Sequence, residues 1–102
     1  MKKQLILFVL MMLPLVASAD TVKIGDIYYY LKINEKTAEV RRNLLGYYEG
    51  EIVIPSTVVY KSVEYNVTSI GEYAFNFCKD MTSVTIPNSL TNIGKYAFES
   101  CI

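Results

Sequence analysis

An eleven-residue pattern occurs twice in this chain. Thr68-Ser69-Ile70-Gly71-Glu72-Tyr73-Ala74-Phe75-Asn76-Phe77-Cys78 returns 23 residues later as Thr91-Asn92-Ile93-Gly94-Lys95-Tyr96-Ala97-Phe98-Glu99-Ser100-Cys101, with seven of the eleven positions identical. A unit this short cannot enclose an apolar core alone, so successive units must stack and share one. Between the copies runs Met81-Thr82-Ser83-Val84-Thr85-Ile86-Pro87. Its apolar residues interleave with small polar ones until Pro87, which lacks a backbone donor and ends the ladder, so one short strand per repeat is expected.

A period of roughly 20 to 29 residues with one strand per turn is the signature of a leucine-rich-repeat coil. Each repeated residue then has a structural task. Ile70 and Ile93 point inward, Gly71 and Gly94 let the backbone turn where a side chain would obstruct it, Ala74 and Ala97 fit where only a methyl fits, and Phe75 and Phe98 fill the wide interior. A short helical or 3-10 turn is expected around each Ala-Phe pair, opposite the strands. The pattern Ile-Gly-x-x-Ala-Phe-x-x-Cys, followed by a strand ending in Ile-Pro, resembles the BspA-like leucine-rich-repeat proteins of Bacteroides and related organisms. The resemblance covers residues 67 to 101 in two units, and Glu51-Ile52-Val53-Ile54-Pro55 looks like the strand of a preceding turn. It implies a β-rich, α/β horseshoe-type solenoid. Nine extra residues separate Pro55 from Ile70 when compared with Pro87 and Ile93. They match a hairpin that the family inserts in its first repeat, here within 58–67, with Val58-Val59-Tyr60 pairing with Tyr65-Asn66-Val67. The connecting Lys61-Ser62-Val63-Glu64 lacks the Asn-Gly type of turn.

Upstream, Ile27, Tyr29, Leu31 and Ile33 alternate along one strand face, Asn34 to Thr37 reads as a turn, and Ala38 to Arg42 alternates back. Residues 20–50 therefore predict an N-terminal β-hairpin cap and a connector, because the first coil of a solenoid needs a cover with a polar outer side. Asn43 to Gly50, with Leu44, Tyr47 and Tyr48, forms the connector. The tyrosines at 28, 29 and 30 admit a sugar-stacking role, but half-buried strand aromatics are the plainer expectation.

Residues 1–19 have the form of a secretory signal peptide. Lys2 and Lys3 precede an apolar run of 12 residues from Leu5 to Val16, and small Ala17 and Ala19 precede the first acid, Asp20. The run is short for a membrane span, which needs roughly 20 apolar residues. Cleavage after Ala19 is expected, giving a secreted or cell-surface protein with no integral membrane span in the mature chain. The mature chain would carry 8 basic and 10 acidic residues, with no basic cluster to suit nucleic acid.

Histidine is absent from the sequence, which removes Ser-His and Cys-His nucleophile pairs and His-based metal sites. The acids are dispersed, and no phosphate-binding glycine loop occurs, so neither catalytic nor cofactor-binding nor metal-binding residues are nominated. Cys78 and Cys101 share a repeat position. Stacking brings them within disulfide reach, and export would permit the bond, but reduced thiols serving as small interior fillers are favoured.

The expected function is binding. Repeat solenoids present extended surfaces, and the resemblance implies adhesion to a host or bacterial protein or glycan. Outward strand positions Glu51, Val53, Ser83 and Thr85 are the candidate binding face. A structural spacer or targeting module of a larger exported protein is the alternative. After Cys101 only Ile102 follows, where the first copy continues into another strand, so the sequence reads as the N-terminal part of a longer repeat protein, its second repeat truncated.

Overall fold

Alternating apolar residues form strands as expected, with two strands more than the sequence suggested, one at the start of the described residues and a two-residue strand in the second repeat copy. The computed structural model describes residues 21–101; the expected export segment, with Ala17 and Ala19, lies outside them. Eight strands follow in order: β1 Thr21–Ile24, β2 Ile27–Lys32, β3 Thr37–Arg41, β4 Gly50–Val53, β5 Thr57–Tyr60, β6 Val63–Ile70, β7 Met81–Thr85 and β8 Asn92–Ile93.

The cap is a three-stranded antiparallel meander rather than a hairpin. The added strand, β1, reaches β2 through Gly25-Asp26, with Gly25 at φ +63°. Glycine at the first central position of a two-residue turn matches the twist of the flanking strands. Between β2 and β3, Lys36 takes φ +58° and its N–H donates to the Lys32 carbonyl at 2.8 Å. Ile33 falls inside this loop and is exposed, instead of continuing the inward face of β2.

The inserted hairpin is present, with Val58 opposite Tyr65 and Tyr60 opposite Val63. Its turn is shorter than expected. Only Lys61 and Ser62 connect the strands, at φ +50° and +68°, while Val63 and Glu64 belong to β6. Two left-handed residues make the turn that suits a tight hairpin, here without the asparagine or glycine that adopt it most easily.

The larger sheet runs β1-β2-β3-β6-β5, with β8 also paired to β6. β3 and β6 are parallel. The Gly71 N–H donates to Val40 O at 2.8 Å, as the Gly94 N–H donates to Ile70 O at 2.7 Å. The last cap strand thus stands where the preceding coil of a solenoid would stand. β4 and β7 form the second, parallel sheet. One continuous core joins Tyr29, Leu31 and Val40 of the cap to Ile52 and Ile54 of the first coil strand and to Val67, Ile70 and Phe75.

The Ala-Phe segments are runs of tight turns, and no helix occurs among the described residues. Tyr73 and Phe77 take φ +62° and +60°, as do Tyr96 and Ser100 at +60°. A left-handed residue every fourth position interrupts a right-handed helix. The alternate N–H groups of Ala74, Asn76 and Cys78 bond three residues back, and those of Tyr73, Phe75 and Phe77 reach the next coil. Bonds between coils thus take donors that a helix would have kept within itself.

The two repeat glycines serve close approach rather than a left-handed turn. A Cβ on Gly94 would meet Glu72 N at 2.7 Å, and one on Gly71 would meet the Glu39 carboxylate at 2.6 Å.

Candidate functional site

Four side chains nominated from sequence share one outer surface. β4 and β7 pair so that Glu51 faces Ser83 and Val53 faces Thr85. All four are exposed, whereas Ile52 and Ile54 between and beyond them are buried. Alternation produces this, since neighbouring strand residues point to opposite sides. Val53 is 63% exposed, an apolar group at the end of β4. Beside it opens a cleft of 590 Å³ lined by Gly25, Asp26, Glu51, Val53 and Val59, which joins the sheet face to the tip of the cap.

The interior repeat positions are mostly where the spacing puts them. Ile70, Ala74, Phe75, Cys78 and Ala97 are buried, and Phe98 and Cys101 pack against the same core. The rings of Phe75 and Phe98 stack at 5.2 Å. Ile93 departs from the expectation and is 51% exposed. β8 flanks Ile70, but among the described residues no further strand flanks Ile93. The thiols are unbonded. Cys101 Sγ donates to the Cys78 carbonyl at 3.3 Å, and burial pushes the Cys78 thiol up from its ordinary pKa.

The tyrosine run of β2 offers no stacking platform. Tyr28 and Tyr29 are buried, and Tyr30 lies under the Arg41 guanidinium at 4.9 Å. Burial pushes the Tyr29 phenol up to about 12. Tyr48 from the connector is buried as well. Its hydroxyl donates to Arg41 O at 2.6 Å and accepts from the Tyr28 N–H at 3.0 Å, and its ring lies 5.1 Å from that of Phe75. Desolvation raises its pKa strongly.

Exposed aromatics lie elsewhere, on the turn side. A cleft of 640 Å³ separates the connector residues Arg42, Asn43 and Tyr47 from Tyr73, Asn76 and Phe77 of the first coil. Left-handed backbone at Tyr73 and Phe77 accompanies rings turned outward, while Phe75 between them points in. Tyr73 stacks on Tyr96 at 5.3 Å and 21°. Asn43 Oδ1 is held by the Leu45 N–H at 2.9 Å, which leaves its amide donors free for the cleft. Sequence reasoning did not find this surface. Its one linear signal is the repetition of Tyr73 as Tyr96, a tyrosine kept in both copies beside residues that fill the interior.

Among the described residues no three metal-ligating side chains converge. Nor is any helix there long and apolar enough to cross a membrane.

Comparison with known proteins places the chain. The family model described as "BspA type Leucine rich repeat region (6 copies)" matches residues 52–102. No curated protein gives a significant match. A leucine-rich repeat protein from Bacteroides capillosus ATCC 29799 is similar at 33% identity and a TM-score of 0.68, over 80% of this chain. One from Bacteroides ovatus ATCC 8483 is similar at 34% identity and a TM-score of 0.65, over 78% of this chain. A leucine rich cell surface protein from Faecalibacterium prausnitzii A2-165, at 20% identity and a TM-score of 0.52 over 78% of this chain, shares the fold. The chain spans 59%, 21% and 28% of the lengths of these three structures.

Proposed function

Because the chain belongs to the BspA-type leucine-rich-repeat family, we propose that it is a secreted or cell-surface binding protein whose β4–β7 face engages a host or bacterial protein or glycan. It acts by adhesion and not by catalysis. The observation that carries this reading is the register of the two strands, which sets Glu51, Val53, Ser83 and Thr85 side by side and exposed on one face. Family members use a repeated scaffold, and repeated scaffolds give their strands to extended contact surfaces. Val53 supplies an apolar contact beside the polar Glu51, Ser83 and Thr85, a mixture common to protein interfaces.

Export supports the same reading. The basic start, the apolar run and the Ala17-Ser18-Ala19 segment fit a cleaved signal peptide. Amino-terminal sequencing of the exported protein is expected to begin at Asp20, and a retained Met1 would count against secretion. For the binding face, immobilised extracellular-matrix protein and immobilised mucin glycans are the probes. Val53→Asp is expected to reduce binding by about tenfold or more, since a charge replaces the apolar contact of this face. Unchanged binding to every surface that the unmodified protein recognises would move the contact away from this face.

A further inference from the structure

The turn ladder has a direction. N–H groups of Tyr73, Phe75 and Phe77 in the first coil donate to the carbonyls of Lys95, Ala97 and Glu99 in the second, at 3.3, 2.8 and 3.0 Å. Carbonyls of Gly71, Tyr73 and Phe75 are used inside their own coil, accepting from Ala74, Asn76 and Cys78. The 23-residue equivalence accounts for the rest. Glu72, Ala74 and Asn76 stand in the first coil where Lys95, Ala97 and Glu99 stand in the second. Their carbonyls therefore face backwards, toward the connector. Among the described residues no backbone or side-chain donor reaches them.

The cap covers this side of the coil only in part. β3 serves Gly71 through the Val40 carbonyl, and Tyr48 lies over Phe75. Over Tyr73 and Phe77 the surface instead opens into the cleft of 640 Å³, which Ala74 and Asn76 line, while Glu72 lines a second cleft that shares Tyr73 with it. A row of three acceptors two residues apart, bordered by exposed rings, is a demand for donors with the same spacing.

We infer that this cleft is a binding site for a polypeptide segment of a partner that takes the turn conformation of the repeat itself. The segment's alternate N–H groups donate to Glu72, Ala74 and Asn76, and its apolar or aromatic side chains lie on the rings of Tyr73 and Phe77. The molecule itself shows the ligand that such a row takes. In the next coil the equivalent row accepts N–H groups two residues apart, while Tyr73 stacks on Tyr96 and Phe75 on Phe98. The donors to that row lie on a run of turns with left-handed residues at Tyr73 and Phe77, so alternate N–H groups point to the neighbouring coil, and a bound segment repeats that conformation. Sugar rings can stack on tyrosine, but their hydroxyls keep no such two-residue register. Because Tyr48 already fills the space over Phe75, the middle contact residue of the segment is small. The recognised pattern is large-x-small-x-large. This site lies apart from the β4–β7 face, and its test is independent of that reading.

A pentapeptide Tyr-Asn-Ala-Asn-Phe, acetylated and amidated, is the probe. Titrated into the isotope-labelled protein, it is expected to shift the carbonyl carbon resonances of Glu72, Ala74 and Asn76. A peptide N-methylated on its two Asn residues keeps the donors of the contact edge and is expected to bind alike. One N-methylated on Tyr, Ala and Phe loses them and is expected to bind at least about tenfold more weakly, the equivalent of about 1.4 kcal/mol. Tyr47→Ala, in the exposed connector wall, is expected to weaken the unmodified peptide without altering the spectrum of the core. Equal binding of the two methylated peptides, shifts confined to other residues, or no shift at millimolar peptide would each overturn the assignment. Maltotriose producing the same carbonyl shifts would overturn its peptide character.

Discussion

The hydroxyl of Tyr48 ties together segments far apart in sequence, since it bonds to β2 at Tyr28 and β3 at Arg41 while its ring meets Phe75. Tyr48→Phe keeps the ring and strands the Tyr28 N–H and the Arg41 carbonyl. A buried group left unpaired costs roughly 1–3 kcal/mol, so the unfolding free energy is expected to fall by that amount and the urea midpoint with it, and an unchanged midpoint would mean that water replaces the hydroxyl. Gly94 makes the opposite case, in which an added atom does harm. Its missing side chain leaves room for the backbone of the first coil, and Gly94→Ala is expected to cost about 1–3 kcal/mol by overpacking, read in the same unfolding experiment. Tyr29 connects burial to pH. Its phenol ionises near 10 in the unfolded chain and is pushed up to about 12 when folded, so the folded state holds the proton longer. That contribution to stability is whole below pH 10 and is lost as pH rises from 10 to 12. The tyrosinate absorbance of Tyr29, taken as the difference between the protein and its Tyr29→Phe variant, is expected to rise together with loss of near-ultraviolet dichroism, not before it.

The inserted hairpin carries a turn that its residues tolerate rather than prefer. Lys61 and Ser62 both sit at positive φ, where asparagine and glycine lie more easily. Replacing them together, Lys61→Asn with Ser62→Gly, is expected to stabilise the protein by about 0.5–1 kcal/mol, and a loss of thermal stability would show that the side chains of Lys61 and Ser62 matter more than the turn. The same pair explains why the turn length was hard to read. Without an asparagine or glycine to mark it, Val63 and Glu64 looked like loop although their alternation suits a strand. β1 was missed for a related reason. Thr21-Val22-Lys23-Ile24 offers only Val22 and Ile24 as apolar positions, too few to stand out beside the export segment. The repeat strands and the inward Ile70, Ala74 and Phe75 were legible, because repetition marks a position that a single copy leaves ambiguous. The turn segments misled for a physical reason. Alanine and phenylalanine sit comfortably in a helical turn, but alternate N–H groups gain partners in the next coil, and stacking overrides local preference.

Cap and coil share one hydrophobic cluster and one sheet, through β3 and β6. The described residues are therefore expected to unfold in a single transition, with far- and near-ultraviolet dichroism giving coincident curves in urea; separated curves would mean that the cap melts independently. At this scale the outer β4–β7 face was legible, since alternation along each strand fixes which side chains point out. The turn-side cleft was not, because Tyr47 and Phe77 lie thirty residues apart and meet only once the connector has folded over the first coil. Handedness of bonding in that cleft also governs how copies of the molecule can meet. A surface whose backbone offers acceptors alone has no backbone donor to give an identical surface, so two molecules brought together cleft to cleft would set carbonyl against carbonyl and could bridge only through side chains such as Arg42 and Asn43. The coil end nearest the cap thus discourages symmetric pairing through its turns, a safeguard that comes from the polarity of the peptide group itself and needs no charged side chain.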